Sequence, residues 1–240
     1  LPLCADKVPT IVGTHGDDEI FLTPGVDVVL ALDGDDRVYP NDIEAENGQG
    51  NFICGNNGND YLEGGAGRDN IRGGFGNDTI YGRGSKDILL GSAGRDYIYG
   101  GLGNDYLNGN GSGDFLYGED GHDFIRGSRG VDRLYGGAGN DKLFGEDDDD
   151  FAFGGDGDDR LFGGNGNDRL EGQDGDDRIW GDDGNDTILG GHGRDRIRGG
   201  QGGDSINGQG GPDQLNGNEG NDKLKGGGGI DKYFGGDGND

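Results

Sequence analysis

No stretch of 18 or more apolar residues occurs in the 240-residue chain, so no segment can cross a membrane as a helix. Basic residues are scarce: 20 Lys and Arg stand against 48 Asp and Glu, for a net charge of -28. Nucleic acid is bound through a surplus of Lys and Arg on its phosphates, and this balance excludes it as a partner. Cysteine is nearly missing. Cys4 and Cys54 both lie near the start. A bond between them would close the N-terminal section and fit an oxidising compartment, but the sequence leaves the pairing open. Leu1 opens neither a basic nor an apolar leader region, which implies that an export signal is absent or already removed. Apolar side chains make up only 28% of the chain, while 61 glycines raise the entropy cost of ordering the backbone. By composition alone the chain looks like a disordered polyanion, and its core cannot order it unaided.

What is present in quantity is one short pattern. Gly64 to Arg72 reads GGAGRDNIR, the template G-G-x-G-x-D-x-U-x with U a large aliphatic residue, and it recurs every nine residues. The aspartate stands at Asp60, Asp69, Asp78, Asp87, Asp96, Asp105, Asp114, Asp123, Asp132, Asp141, Asp150, Asp159, Asp168, Asp177, Asp186, Asp195, Asp204, Asp213, Asp222 and Asp231, with one more step to Asp240. Two places after each comes the apolar residue, as in Leu62, Ile71, Ile80 and Leu89 and onward to Leu224. Five places before each comes a glycine, without exception from Gly55 to Gly235. So strict a period means one small unit stacked many times. Glycine in the turn half meets the need for positive φ or close backbone approach. The x-U-x half reads as a short strand whose middle side chain points inward. Two nonapeptides then make one coil, strands 18 residues apart stack in parallel, and alternate strands build two short parallel sheets. The fold class is an all-β solenoid.

Residues 1–12 lie outside the repeat and read as a cap or linker. Residues 13–39 hold degenerate repeats, with Asp18, Asp27 and Asp36 at the aspartate position and Ile20, Val29 and Val38 at the apolar one. Asp36 and Asp60 are 24 apart, three repeats less three residues. Residues 40–54 are therefore a register break with a shortened or looped turn. One alignment keeps Phe52-Ile53-Cys54 as a normal strand and deletes the aspartate after Asn51, leaving no metal site there. Residues 55–240 form the regular array. It stops after a turn and before its strand, which predicts that the array continues or is capped beyond Asp240.

Something must bind the turns and cancel their charge, and a divalent cation held by carboxylate and carbonyl oxygens does both. Half the net charge of -28, about 14 ions, would suffice, so ordering should be coupled to metal binding. The motif resembles the RTX, or hemolysin-type, calcium-binding nonapeptide repeat over roughly residues 13 to 240. The N-terminal part, with its early cysteine, Thr10 to Thr14 and Ile53-Cys54-Gly55, is similar to secreted actinobacterial-type calcium-binding repeat proteins. The resemblance implies a right-handed parallel β-roll with Ca2+ between turns stacked on one edge, held by turn carbonyls and the sixth-position carboxylates. Asp60 then pairs with Asp78 and Asp78 with Asp96, while Asp69, Asp87 and Asp105 line the other edge. Ser85, Ser112 and Asp148 replace the fourth-position glycine, and Arg83 and Lys86 bring positive charge to the turn ending at Asp87, so weaker sites are expected there. Ala152 follows a turn crowded with carboxylates and marks the weakest coil.

Ordinary turn chemistry would account for single Asn-Asp or Gly-Asp pairs, but not for more than twenty in one phase. An EF-hand fails, because runs such as Asp156-Gly157-Asp158 lack the sixth-position glycine and a twelfth-position glutamate. His15, His122 and His192 fall at variable turn positions, too far apart to share zinc. A uniform array offers no singular environment for catalysis, so the chain reads as non-enzymatic. Outward aromatics recur in step: Tyr81, Tyr99, Tyr117, Tyr135 and Phe153 on one sheet, with Tyr97, Phe115 and Phe151 beside them. On the other, Phe144, Phe162 and Trp180 stand beside Lys142, Arg160, Arg178 and Arg196. They form either a cross-strand ladder or a face for a glycan or protein partner. The expected function is a secreted calcium-binding β-roll that folds on binding Ca2+. The alternatives are an export and folding module of a larger RTX toxin, protease, lipase or adhesin, and an adhesive surface protein.

Overall fold

The computed structural model describes residues 4–41 and 48–240. They contain 25 strands and, among the described residues, no helix; none therefore is long and apolar enough to cross a membrane. The chain divides into two units, Leu1–Phe124 and Ile125–Asp240.

In the first unit each regular nonapeptide supplies one strand. Thr79–Gly84, Tyr97–Leu102 and Phe115–Asp120 pair in parallel, with Ile80 beside Ile98 and Ile98 beside Leu116. The strands between them in sequence form the second sheet, where Ile71, Leu89 and Leu107 fall in line. Two nonapeptides thus complete one coil, and the fold is the expected β-solenoid of two parallel sheets. The second unit repeats the arrangement, with Leu134, Ala152 and Leu170 in one column and Leu143, Leu161 and Ile179 in the other. The period of nine puts one aliphatic side chain per strand inside, where each of these is fully buried. Ala152 keeps the register with a smaller side chain.

Parallel sheets are usually covered on both faces. Here the outer faces carry stacked rings. Tyr81, Tyr99 and Tyr117 stack at 4.7 and 4.8 Å between ring centroids, and Phe21, Tyr39 and Tyr61 carry the row back toward the start of the first unit. In the second unit Tyr135 stacks on Phe153 at 5.0 Å, and Phe144, Phe162 and Trp180 at 4.7 and 4.5 Å. The near-parallel planes from Tyr81 to Tyr117 and in the second unit match a cross-strand ladder, while Tyr61 is tilted against both Tyr39 and Tyr81.

The break in phase differs from the sequence-based expectation. Val29 pairs with Ile53 and Val38 with Leu62, so both sheets step by 24 residues at this coil instead of 18. The coil carries six extra residues; it is not three repeats shortened by three. Asn51, two places before Ile53, occupies the aspartate position itself, so the aspartate is replaced and not deleted. The looped part expected within 40–54 includes residues 42–47, outside the described residues. Cys4 and Cys54 are joined in a disulfide with Cα atoms 5.8 Å apart, packed with Val28 and Leu30 against Leu32 and Phe52. Within the segment read as a cap, Ile11–Val12 already forms a strand, paired with Val29 and Leu30.

Candidate metal centre

From Gly55 to Gly235 each turn begins with the glycine that never varies, and space explains why. Gly55 and Gly73 do not adopt positive φ. A Cβ at Gly73 would overlap Asp78 Oδ2 and crowd the Gly91 carbonyl oxygen one coil on; at Gly55 it would meet Asp60 Oδ2 and the Gly73 carbonyl. The same pair of oxygens surrounds Gly163, Gly172 and Gly181. The second and fourth positions are the left-handed ones. Most hold glycine, yet Arg83 (φ 82°), Ser85 (73°), Ser112 (85°) and Asp148 (81°) accept the strain there.

The sixth-position aspartates form two ladders in each unit. In the first, the Asp60 amide donates to Asp78 Oδ1 and the Asp78 amide to Asp96 Oδ1, each at 2.8 Å. On the opposite edge the Asp69 amide donates to Asp87 Oδ1 at 2.7 Å and the Asp87 amide to Asp105 Oδ1 at 2.8 Å. The second unit continues the pattern from Asp150 to Asp168 to Asp186 and from Asp159 to Asp177 to Asp195, reaching Asp231 and Asp240. The pairing of aspartates 18 residues apart is therefore direct, with one carboxylate oxygen satisfied and the side chain buried as far as Asp222.

The other oxygen is not satisfied. Oδ2 of Asp60, Asp78, Asp87, Asp96, Asp105, Asp150, Asp159, Asp168, Asp177, Asp186, Asp195 and Asp204 is buried and accepts no hydrogen bond. Beside the first glycine of turns such as those of Asp60, Asp78 and Asp168 a carbonyl oxygen of the next coil borders the same space. Two acceptors therefore share it without a donor, which costs on the order of 1–3 kcal/mol or more when one is charged. Burial first, then the charges of Asp69 and Asp105, push the Asp87 carboxyl up to about 9 against the hydrogen bond from the Asp69 amide. Asp150 and Asp159 rise to about 8 for the same reason, and Asp78, Asp186 and Asp195 to about 7.

Among the described residues, Asn51, Thr14 and Thr23 resolve the conflict with a donor. Asn51 Oδ1 accepts the Asp27 amide at 3.0 Å, as an aspartate would, and its Nδ2 donates to the Gly64 carbonyl at 3.0 Å. Thr14 donates its amide to Asp18 Oδ2 at 2.6 Å and its hydroxyl at 3.1 Å; Thr23 does the same for Asp27 at 2.6 and 3.0 Å. A second ladder runs through the fifth position in the opposite sense, where the Asn77 amide donates to Asn59 Oδ1 at 2.8 Å and the Asn185 amide to Asn167 Oδ1 at 3.0 Å. None of these residues stands out by type in the repeat; the Asn-Asp dipeptide at 59–60, 77–78, 167–168 and 185–186 is the available signal.

Arg83 does not neutralise Asp87. Its guanidinium pairs with Glu63 at 2.6 Å and lies over the Tyr81 ring. His15 and His192 meet Asp33 and Asp174, at 2.6 and 2.8 Å. Among the described residues no three side chains of His, Cys, Asp or Glu converge on one point, so a cation in these turns needs carbonyl as well as carboxylate oxygens. The oxygen-only pairing of buried Oδ2 with a glycine carbonyl fits a hard divalent ion such as calcium and offers no nitrogen or sulfur for a softer one.

No curated protein matches the chain. The family model for the RTX calcium-binding nonapeptide repeat matches residues 10–42 and, in overlapping segments from 55–89 to 207–240, everything from 55 onward. The one gap, 43–54, coincides with the lengthened coil in which Asn51 replaces aspartate. By this coverage and by its solenoid, the chain belongs to the RTX calcium-binding nonapeptide repeat family.

Proposed function

We propose that the chain is a secreted, non-enzymatic calcium-binding β-roll whose coiling is driven by Ca2+ held between successive turns. The observation that carries this reading is the buried Oδ2 that shares its space with a carbonyl oxygen, repeated along both edges and relieved, among the described residues, where Asn51, Thr14 or Thr23 supplies a donor. Bound calcium would supply the positive charge that lets two acceptor oxygens share that space. Asp36 and the sixth-position aspartates from Asp60 to Asp231 are the proposed carboxylate ligands, and the first-position glycine carbonyls the proposed neutral ones. Asp18 and Asp27, with both oxygens already engaged, depend least on an ion.

Without the ion, carboxylates in a chain of net charge -28 repel one another and favour extension. External modules of this donor type bind calcium at about 10⁻⁴ to 10⁻³ M, a range met outside cells. The Cys4–Cys54 disulfide supports the same oxidising location. Circular dichroism and small-angle scattering during a calcium titration test the reading. The expected result is a cooperative rise in β signal with contraction, reversed by chelator. A β signal indifferent to chelator would overturn it.

A further inference from the structure

One face of the second unit carries charge of the wrong sign for this protein. Lys142, Arg160, Arg178 and Arg196 occupy successive rungs of one sheet in direct register. All four are exposed. Like charges placed opposite each other on neighbouring strands destabilise a sheet, yet in a chain with 48 acidic residues none of the four makes an ion pair among the described residues. The other sheet of the same unit handles its cations differently: Arg169 pairs with Glu171 and Arg133 lies over the Phe151 ring. Two residues along each strand from the cations runs the stacked row Phe144, Phe162 and Trp180. On the opposite flank Asp158 and Asp176 line the same surface depression as the cations, each holding a backbone amide with one carboxylate oxygen.

We propose that this face binds a linear anionic polysaccharide, its chain running along the coil axis. The three columns match the three chemistries of an acidic sugar. The flat apolar face of a pyranose ring packs on aromatic rings, its carboxylate or sulfate meets the guanidinium fork, and its hydroxyls donate to Asp158 and Asp176. The strand spacing of about 4.8 Å is close to the advance per sugar in an extended polysaccharide, so one rung serves one sugar. A nucleic acid backbone brings no hydroxyl donors to the aspartate column when it is DNA, and an acidic peptide has no flat ring face for the aromatic row.

This inference rests on the reading of the chain as a calcium-folded coil, and the two can fail separately. Trp180 is the single tryptophan of the chain and lies on the proposed surface, so its fluorescence reports occupancy. Calcium-loaded protein is titrated with hexagalacturonate, cellohexaose, oligoglutamate and oligothymidylate. A saturable change with hexagalacturonate alone is expected, weakened at least 10-fold in Arg160→Gln/Arg178→Gln and in Phe162→Ser, and unchanged in Tyr135→Ser on the other sheet. Arg178→Gln alone, at an exposed position, serves where the double variant loses its calcium-dependent circular dichroism. Equal binding of cellohexaose, tighter binding of oligoglutamate or oligothymidylate, or undiminished binding by the arginine variants would overturn the proposal; the last is what simple bridging by loosely held calcium would give. Failure of calcium to induce β structure in the wild type would instead count against the functional reading itself.

Discussion

Asn51 donates to the Gly64 carbonyl across 3.0 Å, in the place where Asp78 Oδ2 and the Gly91 carbonyl oxygen stand as two acceptors. One amide in the ladder therefore supplies the donor that a carboxylate such as Asp78 lacks. Asn51→Asp should remove that donor and create a further conflict. Without calcium the variant is expected to lose about 1–3 kcal/mol; with calcium it should recover and bind at least one more ion. Chelator-dependent thermal melts and calorimetric stoichiometry check this, and equal destabilisation with and without calcium would refute it.

The converse substitution belongs in the second unit. Asp168 Oδ1 accepts the Asp150 amide at 2.8 Å, while its Oδ2 is buried without a donor and shares with the Gly181 carbonyl oxygen the space around Gly163. Asp168→Asn keeps the acceptor and places a donor against that carbonyl. The metal-free coil should gain about 0.5–1.5 kcal/mol, and the loaded chain should hold at least one ion fewer. Residual β signal in chelator, compared between variant and wild type, measures the first effect and calcium stoichiometry the second. A variant that loses stability in chelator would show that Oδ2 needs no donor.

Protons should act as a weaker substitute for the metal. The folded values of about 9 for Asp87, about 8 for Asp150 and Asp159 and about 7 for Asp78 lie above the unfolded 3.8, chiefly through burial. For a raised folded value, the stabilisation is complete below the unfolded pKa and is lost as pH rises through the folded one. The calcium-free coil should therefore be most ordered near pH 4 and unravel between about pH 6 and 9. Calcium affinity should fall on acidification, since ion and proton compete for the same oxygens. Circular dichroism of calcium-stripped protein across this range decides it; unfolding on acidification would contradict the burial argument.

Ile80 and Leu107 are readable in the sequence because one aliphatic residue in nine has a single place to go, and that placement fixes strand, sheet and coil together. The aspartate ladders follow from the same period. What the period cannot carry is any contact made by a residue out of step or between coils. Asn51 is recognisable only by its distance from Ile53, once the six extra residues are known from the pairing of Val29 with Ile53. Thr14 and Thr23 look like ordinary degenerate turn residues until their amides and hydroxyls are seen on Asp18 and Asp27. Arg83 sits in the Asp87 turn by sequence, but a long flexible side chain follows the nearest available carboxylate, and that is Glu63 on the preceding coil.

Adjacent glycines in one turn face different neighbours, the carboxylate at Gly73 and the Asn56 backbone at Gly74. Gly73 lies outside the left-handed region, and its missing Cβ leaves room for Asp78 Oδ2 and the Gly91 carbonyl oxygen. Gly74 has φ 127°, at a position where Asn56, Asn110 and Asn218 stand in other turns with φ 81°, 80° and 72°. Gly73→Ala should push the two oxygens apart and cost several kcal/mol, roughly the 1–3 of an overpacked core together with the loss of the adjoining ion. A Cβ at Gly74 would meet the Asn56 backbone at the present φ, so Gly74→Asn must shift toward the φ of 72–81° that asparagine takes at Asn56, Asn110 and Asn218. It should cost about 1 kcal/mol and leave the space beside Asp78 Oδ2 untouched. Calcium titrations followed by circular dichroism compare the two. If Gly73→Ala bound calcium as tightly as Gly74→Asn, the space beside the first glycine would have no part in holding the ion, and the invariance of that residue would need another cause.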